Sequence, residues 1–426
     1  MERGWRAIDA RPATSGMRSR CNCWEAVRRP WTARRAGGPA HTSAEATRVY
    51  RGEMKSTTLR ARSPEPVAPV DWAVAARLAA RLAPSAPTAS RGEIVDLVAS
   101  LRKAAATATA HAARITGLRP ADGTDPETDP VSKVQVVDRG GWAAANVRLI
   151  ESMSAPLANE LSDRKAPSRP VRIAGAVEVG SVLGLLSGKV LGQFDPFTAD
   201  ATAPRGRLLL VAPNVLQVER ALKVVPDDFR LWVSLHEQTH ALQFAAAPWL
   251  AGHLRAQASH LFADLGRTGS GRGQDRPGPA IGDVAQLAVE IATGRDNGNG
   301  VLDLLTEDQQ RLLAEVGAVM SLLEGHADVF MDAVGRSVVP SVRQIRARFE
   351  ARRNAAAKVV GPQRVLRRLL GLDAKLAQYR DGAAFVREVR RAVGVDGLNA
   401  VWTAPLLLPT SREIADPRAW VRRVHG

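Results

Sequence analysis

The segment LWVSLHEQTHALQF, residues 231–244, places two histidines four residues apart with a glutamate directly after the first. On an α-helix, positions i and i+4 lie on one face a turn apart, so His236 and His240 can both reach a single ion. His-Glu-x-x-His on a helix binds zinc through its imidazoles, with the intervening carboxylate, here Glu237, as general base. Zinc lowers the pKa of a bound water to about 7, which supplies a nucleophile for hydrolysis at neutral pH. The same spacing also suits an ordinary helix with one histidine buried and the other exposed, so a further ligand has to discriminate.

A catalytic zinc usually takes three protein ligands and leaves the fourth position to water. Cys21 and Cys23 form a lone C-x-C pair near the N-terminus, so the ligands must be His, Asp or Glu. The metzincin continuation is excluded, because Ala246 stands where its third histidine belongs and Gln243 where its glycine belongs. In MSLLEGHADVFMDAVG, residues 320–335, Glu324 and Asp328 share one helix face. The expectation is that Glu324 binds zinc while Asp328 accepts the outward N–H of a ligand histidine. Met320, Leu322, Leu323, Val329 and Phe330 around them predict a largely buried helix, where unpaired carboxylates are expensive. His326 is turned about 200° from Glu324 and is expected on another face or at a cleft rim. His253 and His260, beyond Pro248, remain rival ligands.

The elements that must position these residues are mostly helical from Asp71 onward. Ser90 and Glu93 stand in capping-box spacing ahead of an Ala-rich helix, and DGTDPETDP, residues 122–130, reads as a loop. Ala176, Gly180, Gly184 and Gly188 recur at four-residue intervals, a stripe that lets another helix approach closely. GRLLLVAPN, residues 206–214, is the best strand, closed by Pro213-Asn214. Pro226-Asp227-Asp228 opens the histidine helix and Pro248 bounds it. A long helix is expected from about Thr306 to Val334. Between the ligand helices, residues 266–300 are Gly-rich at both ends and read as an insertion able to cover the cleft as a lid. The C-terminal part is again helical, interrupted at Gly361-Pro362 and Gly371. The fold class is α+β, predominantly helical, with a small sheet before the active-site helix.

With 426 residues and 45% apolar content the chain can bury a core without help from a metal. Its net charge of +16 is unevenly spread. Residues 1–53 hold 11 Lys and Arg against 5 Asp and Glu, residues 54–335 hold 29 against 31, and residues 336–426 hold 19 against 7. The segment carrying the histidines is thus near neutral, and no nucleic-acid recognition motif accompanies the basic C-terminal part. No run reaches the roughly 18 apolar residues of a membrane span, and no apolar stretch follows the Arg-rich start, so a soluble cytoplasmic protein is expected. Residues 1–53 lack any period and read as a disordered arm or an over-long reading frame ahead of Met54, leaving one domain over 66–426.

Taken with these residues, the chain resembles the actinobacterial zincin-like hydrolases usually labelled zinc-dependent metalloproteases, one branch of which is named for association with biosynthesis of a deazaflavin coenzyme. The resemblance rests on VDWAVAARLAARLAP (70–84), VVDRGGWAAANV (136–147), LLSGKVLGQFDPF (185–197), LLLVAPNVLQVERAL (208–222), DDFRLWVSLHEQTHALQFAAAPWL (227–250), SLLEGHADVFMDAVG (321–335) and LRRLLGLDAKLAQYRDGAAFV (366–386). It implies a gluzincin-type zinc hydrolase with His236, His240 and Glu324 on the metal and Glu237 as base, acting on a peptide or other amide carbonyl. An electrophile near the zinc would be needed as well; Tyr379 or Lys375 is the candidate, with Arg380 able to hold a carboxylate. Two rival functions are a metal-stabilised interaction protein without catalysis, against which Glu237 argues, and an anionic-surface or nucleic-acid binder using the Arg-rich C-terminal part.

Overall fold

The structure, a computed structural model, describes residues 70–160, 167–268, 306–357 and 372–426. Helices α1 (Trp72–Leu82) and α2 (Arg91–Thr116) come first; α2 starts at the expected capping box, Ser90 and Glu93 exchanging side-chain and backbone bonds. Strand β1 (Lys133–Val137) leads into α3 (Arg139–Glu160) and α4 (Arg169–Leu186). Strands β2 (Gly192–Asp195) and β3 (Arg207–Val211) are followed by α5 (Ala212–Leu222), the histidine helix α6 (Pro226–Ala246) and α7 (Trp249–Thr268). The remainder is helical: α8 (Glu307–Ala333), α9 (Val342–Ala357), α10 (Leu372–Asn399), two short 3-10 turns, α11 (Ser411–Ala415) and α12 (Pro417–His425). The expected α+β architecture, dominated by helix with a small sheet ahead of α6, is what forms.

The sheet has the order β1-β3-β2. β3 is central, parallel to β1 from Lys133↔Arg207 to Val137↔Val211 and antiparallel to β2 from Gly192↔Leu210 to Asp195↔Arg207. Successive side chains of a strand point to opposite faces. Leu208 and Leu210 accordingly enter the main core, while Leu209 and Val211 join a smaller cluster with Ala75, Ala79, Trp142 and Ala176 from α1, α3 and α4. Burial on both faces explains why β3 reads as an unbroken apolar run. The strand ends at Val211, and the Pro213-Asn214 pair expected to close it lies in the first turn of α5. Pro213 takes an early position in α5, where its missing N–H leaves no intrahelical bond unmade, and the Asn214 amide donates to the carbonyls of Ser187 and Val190 at 2.7 and 2.6 Å.

The small-residue stripe packs α4 on α1. A Cβ at Gly180 would stand 2.8 Å from the Ala75 carbonyl oxygen, and one at Gly184 2.8 Å from Leu82 Cβ. A second close crossing holds α8 against α10, where a Cβ at Gly325 would lie 2.2 Å from the Gly382 carbonyl carbon and one at Gly382 1.9 Å from the Ser321 oxygen. Part of the basic C-terminal charge is taken up inside the fold. Arg348 donates to the Leu222 and Lys223 carbonyls at the end of α5, and Arg423 pairs with Glu413 at 2.6 Å. Among the described residues no helix is long and apolar enough to cross a membrane. The 1–53 extension, the interruptions near 361 and 371, and residues 269–300 of the expected lid lie outside the described residues; residues 266–268 are the end of α7.

Candidate metal centre

α6 buries one side deeply. Phe229, Trp232, Val233, Leu235 and Leu242 belong to the core, and His236 and His240 project together from the other side. Their rings stand perpendicular, with centroids 4.7 Å apart and Nε2 atoms 3.1 Å apart. From α8, Glu324 brings Oε2 to 3.3 Å from His236 Nε2 and 3.6 Å from His240 Nε2. Glu324 Oε2 is a buried atom with no hydrogen bond of its own. The three residues are the one group of His, Cys, Asp or Glu among the described residues with metal-ligand proximity, their ligand atoms lying within 4.8 Å of one another.

The geometry fits zinc. Bonds of 2.0–2.1 Å in a tetrahedron give ligand-to-ligand edges of about 3.3–3.4 Å, and the three donor separations of 3.1, 3.3 and 3.6 Å straddle that value. Two imidazoles and one carboxylate are also the donor chemistry of a catalytic zinc with an open position. Without an ion the three groups act on one another. Burial alone would lower the His240 imidazole, but the Glu324 carboxylate holds it up to about 9. Burial would raise Glu324, and the two imidazoles instead hold it well below the usual carboxylate range.

Glu237 is turned toward the sheet. A Cβ on Gly192 would come within 2.7 Å of its Cγ and Cδ, so the glycine at the start of β2 makes the space the carboxylate occupies. Burial pushes the Glu237 carboxyl up, partly offset by the neighbouring histidines. No hydrogen bond to that carboxylate is found among the described residues, which leaves its lone pairs available. A buried carboxylate of raised proton affinity beside two zinc-type ligands has the character of a general base.

Asp328 departs from expectation. Its carboxylate accepts from Arg346 of α9 at 2.8 Å, Arg346 also pairs with Asp332 at 2.6 Å, and the Trp232 indole donates to Asp332 at 3.1 Å. Arg346 sits over the Trp232 ring at 5.3 Å, so the group is a strut between α8, α9 and α6. The reason is axial: Asp328 keeps roughly the face of Glu324 but stands one turn, about 6 Å, further along α8, past the histidines and opposite α9. The outward nitrogen of His240 is instead bonded to Gln243, Nδ1 to Oε1 at 2.9 Å. Gln243 is fully buried, three residues after His240, and its amide nitrogen donates to the Leu323 carbonyl at 3.0 Å and contacts His326 Nδ1 at 3.1 Å.

His326, expected on another face or at a rim, is fully buried among Phe330 and Trp402, with ring centroids 4.5 and 5.3 Å away. Burial, and then the charge on His240, push its pKa down to about 3, so it is neutral. Gln243 was missed because glutamine at a helix position carries no metal signal. The available cue was a polar residue one helical turn from His240 within the apolar run ALQF. His253 stacks edge-on against Trp249, and neither it nor His260 joins the cluster. Tyr379, Lys375 and Arg380 fall on α10, but their side chains lie outside the described residues.

The family model described as "Zincin-like metallopeptidase" matches residues 70–421. The chain is also similar to a solved structure from Chloroflexus aurantiacus, described as "a putative hydrolase with a novel fold", at 29% identity and a TM-score of 0.57, covering 83% of this chain and 98% of that one. No curated protein matches.

Proposed function

The chain belongs to the zincin-like metallopeptidase family, and we propose that it is a zinc-dependent hydrolase of peptide or other amide bonds, with His236, His240 and Glu324 as a gluzincin-type ligand set and Glu237 as general base. The observation that carries this reading is the convergence of two Nε2 atoms and one carboxylate oxygen beside a buried, unbonded Glu237. When bound, zinc supplies a Lewis acid that lowers the pKa of a coordinated water and polarises a carbonyl.

The residues of the chain do the rest. Glu237, its proton affinity raised by burial, accepts the proton of the attacking water and delivers it to the leaving nitrogen. The peptide character of the substrate is supported by β2, an edge strand that starts beside Glu237 at Gly192. Val211 N–H donates to the Leu191 carbonyl at 2.9 Å, so the alternation of an antiparallel ladder turns the backbone N–H and C=O of Gly192 and Phe194 away from β3. Those groups can pair with an extended substrate backbone.

The test is zinc analysis of the wild type, Glu237→Gln and His236→Ala together with a peptide-library assay. About one zinc per chain is expected in the wild type and in Glu237→Gln, and none in His236→Ala. Turnover should fall by about 10²–10⁴ in Glu237→Gln. A wild-type chain that cannot be loaded with zinc overturns the ligand set, and full turnover in Glu237→Gln overturns the base.

A further inference from the structure

The amide of Gln243 is bonded on both sides, and its orientation follows from one partner. The Leu323 carbonyl can only accept, so the atom 3.0 Å from it must be the Gln243 nitrogen. The amide oxygen therefore faces His240 Nδ1 at 2.9 Å, and that ring nitrogen must carry a proton to make the bond. In the neutral ring the lone pair is then on Nε2, the nitrogen that faces His236 Nε2 and Glu324 and the one from which a metal would displace a proton. The second N–H of Gln243 is directed at His326 Nδ1 at 3.1 Å, which makes that nitrogen an acceptor and places the His326 proton on Nε2. His326 Nε2 is buried with no hydrogen-bond partner. Leaving a buried donor unmatched costs about 1–3 kcal/mol, and the opposite tautomer would set two N–H groups against each other at Gln243. The fold keeps the less favourable end of His326 so that the amide stays in one orientation.

Resting on the reading of His236, His240 and Glu324 as ligands, we infer that Gln243, braced by the Leu323 carbonyl and His326, is the positioning residue that fixes His240 in its Nδ1–H tautomer and joins the two ligand-bearing helices. Its nitrogen is bonded to the carbonyl of the residue immediately before Glu324, so one side chain sets the approach of a ligand from each helix. This is the task that spacing alone assigned to Asp328, whose carboxylate is occupied by Arg346.

The inference is tested by measuring zinc affinity through chelator competition for the full chain, Gln243→Leu, Gln243→Glu and His326→Phe, alongside the melting temperature of each metal-free form. Removing a partner of this kind typically weakens metal binding about 10–100-fold, and that is the loss expected in Gln243→Leu. Gln243→Glu keeps an acceptor for His240 but sets a carboxylate oxygen against the Leu323 carbonyl, so it should recover only part of the affinity lost in Gln243→Leu. His326→Phe leaves the Leu323 bond in place and should lose less than Gln243→Leu. In the zinc-loaded wild type, ring ¹⁵N–¹H correlations should show His240 protonated on Nδ1 and slow to exchange, a readout that requires no variant to fold.

A merely structural glutamine would lower the metal-free melting temperature in Gln243→Leu and leave zinc affinity within about twofold of the wild type, short of the outer-shell effect. That result, or a zinc-loaded His240 whose proton is on Nε2 rather than Nδ1, overturns the inference. Failure of the wild type to bind zinc overturns the ligand set, and the inference with it.

Discussion

If Glu324 holds the His240 proton as the geometry indicates, the metal-free protein should lose stability as pH rises through the neutral range. The imidazole is held up to about 9 in the fold, against an ordinary value near 6.5. A group whose folded pKa is raised contributes its stabilisation fully below the unfolded value and loses it as pH climbs through the folded one. The contribution is therefore complete below pH 6.5 and gone above about 9. A gap of that size corresponds to about 3 kcal/mol. Depression of the Glu324 carboxyl is the same attraction seen from its partner and is not added; its signature lies in acid, where stability falls as pH drops through the depressed folded value.

The assay is urea unfolding of chelator-treated protein in a Glu237→Gln background, which removes the other buried acid from the titration, at pH values spanning 6 to 9.5. The unfolding free energy should fall across that span by up to about 3 kcal/mol, less the share that Glu237 contributes to holding the His240 proton, and the fall should vanish when Glu324→Gln is added. With zinc present the slope reverses for binding, because the ion must displace the His240 proton; affinity should improve about tenfold per pH unit up to about 9. A metal-free stability that is flat from pH 6.5 to 9, or that changes equally with and without Glu324, refutes the coupling.

Three further outcomes follow from the packing. Gly192→Ala, whose Cβ would meet the Glu237 side chain at 2.7 Å, should displace the carboxylate and lower turnover with zinc content unchanged, at a stability cost of about 1–3 kcal/mol, read by zinc analysis, kcat and denaturation. Gly325→Ala must push α8 from α10 and should destabilise by about 3 kcal/mol, measured by denaturation. Arg346→Met strands Asp328 and Asp332 and should also destabilise by about 3 kcal/mol while leaving zinc affinity unchanged; a parallel loss of zinc would return Asp328 to the metal centre.

The helices were largely legible because their signals are local. The capping box at Ser90, Pro226 ahead of Asp227 and Asp228, and the break at Pro248 all mark ends that the structure keeps. The triplet of His236, His240 and Glu324, whose ligand atoms the structure brings together, could be picked out from imidazoles at i, i+4 and a carboxylate in an apolar helix, though that spacing also suits an ordinary helix. The strands were harder. β2 has four residues, too few for a period to emerge, and β1 shows no clean alternation of buried and exposed positions. The partners of the ligands were illegible for a different reason. Asp328 has the chemistry for His240 but stands one turn too far along α8, and Gln243, one turn from His240 on α6, has the position with a side chain that ordinarily signifies nothing. Which one faces a histidine depends on how α8 crosses α6, a tertiary fact absent from either segment.

The crossing of α8 with α10 gives that geometry a mechanical character. Glu324 precedes Gly325, the residue at which the two main chains touch with no side chain between them. Side-chain contacts can be retuned by exchanging one methylene for another, and positions defined by them drift as sequences diverge. A backbone stop has no such adjustment. The depth at which the carboxylate meets the histidines is set by bond lengths and helix radius, a registration that neighbouring substitutions can loosen but not reset.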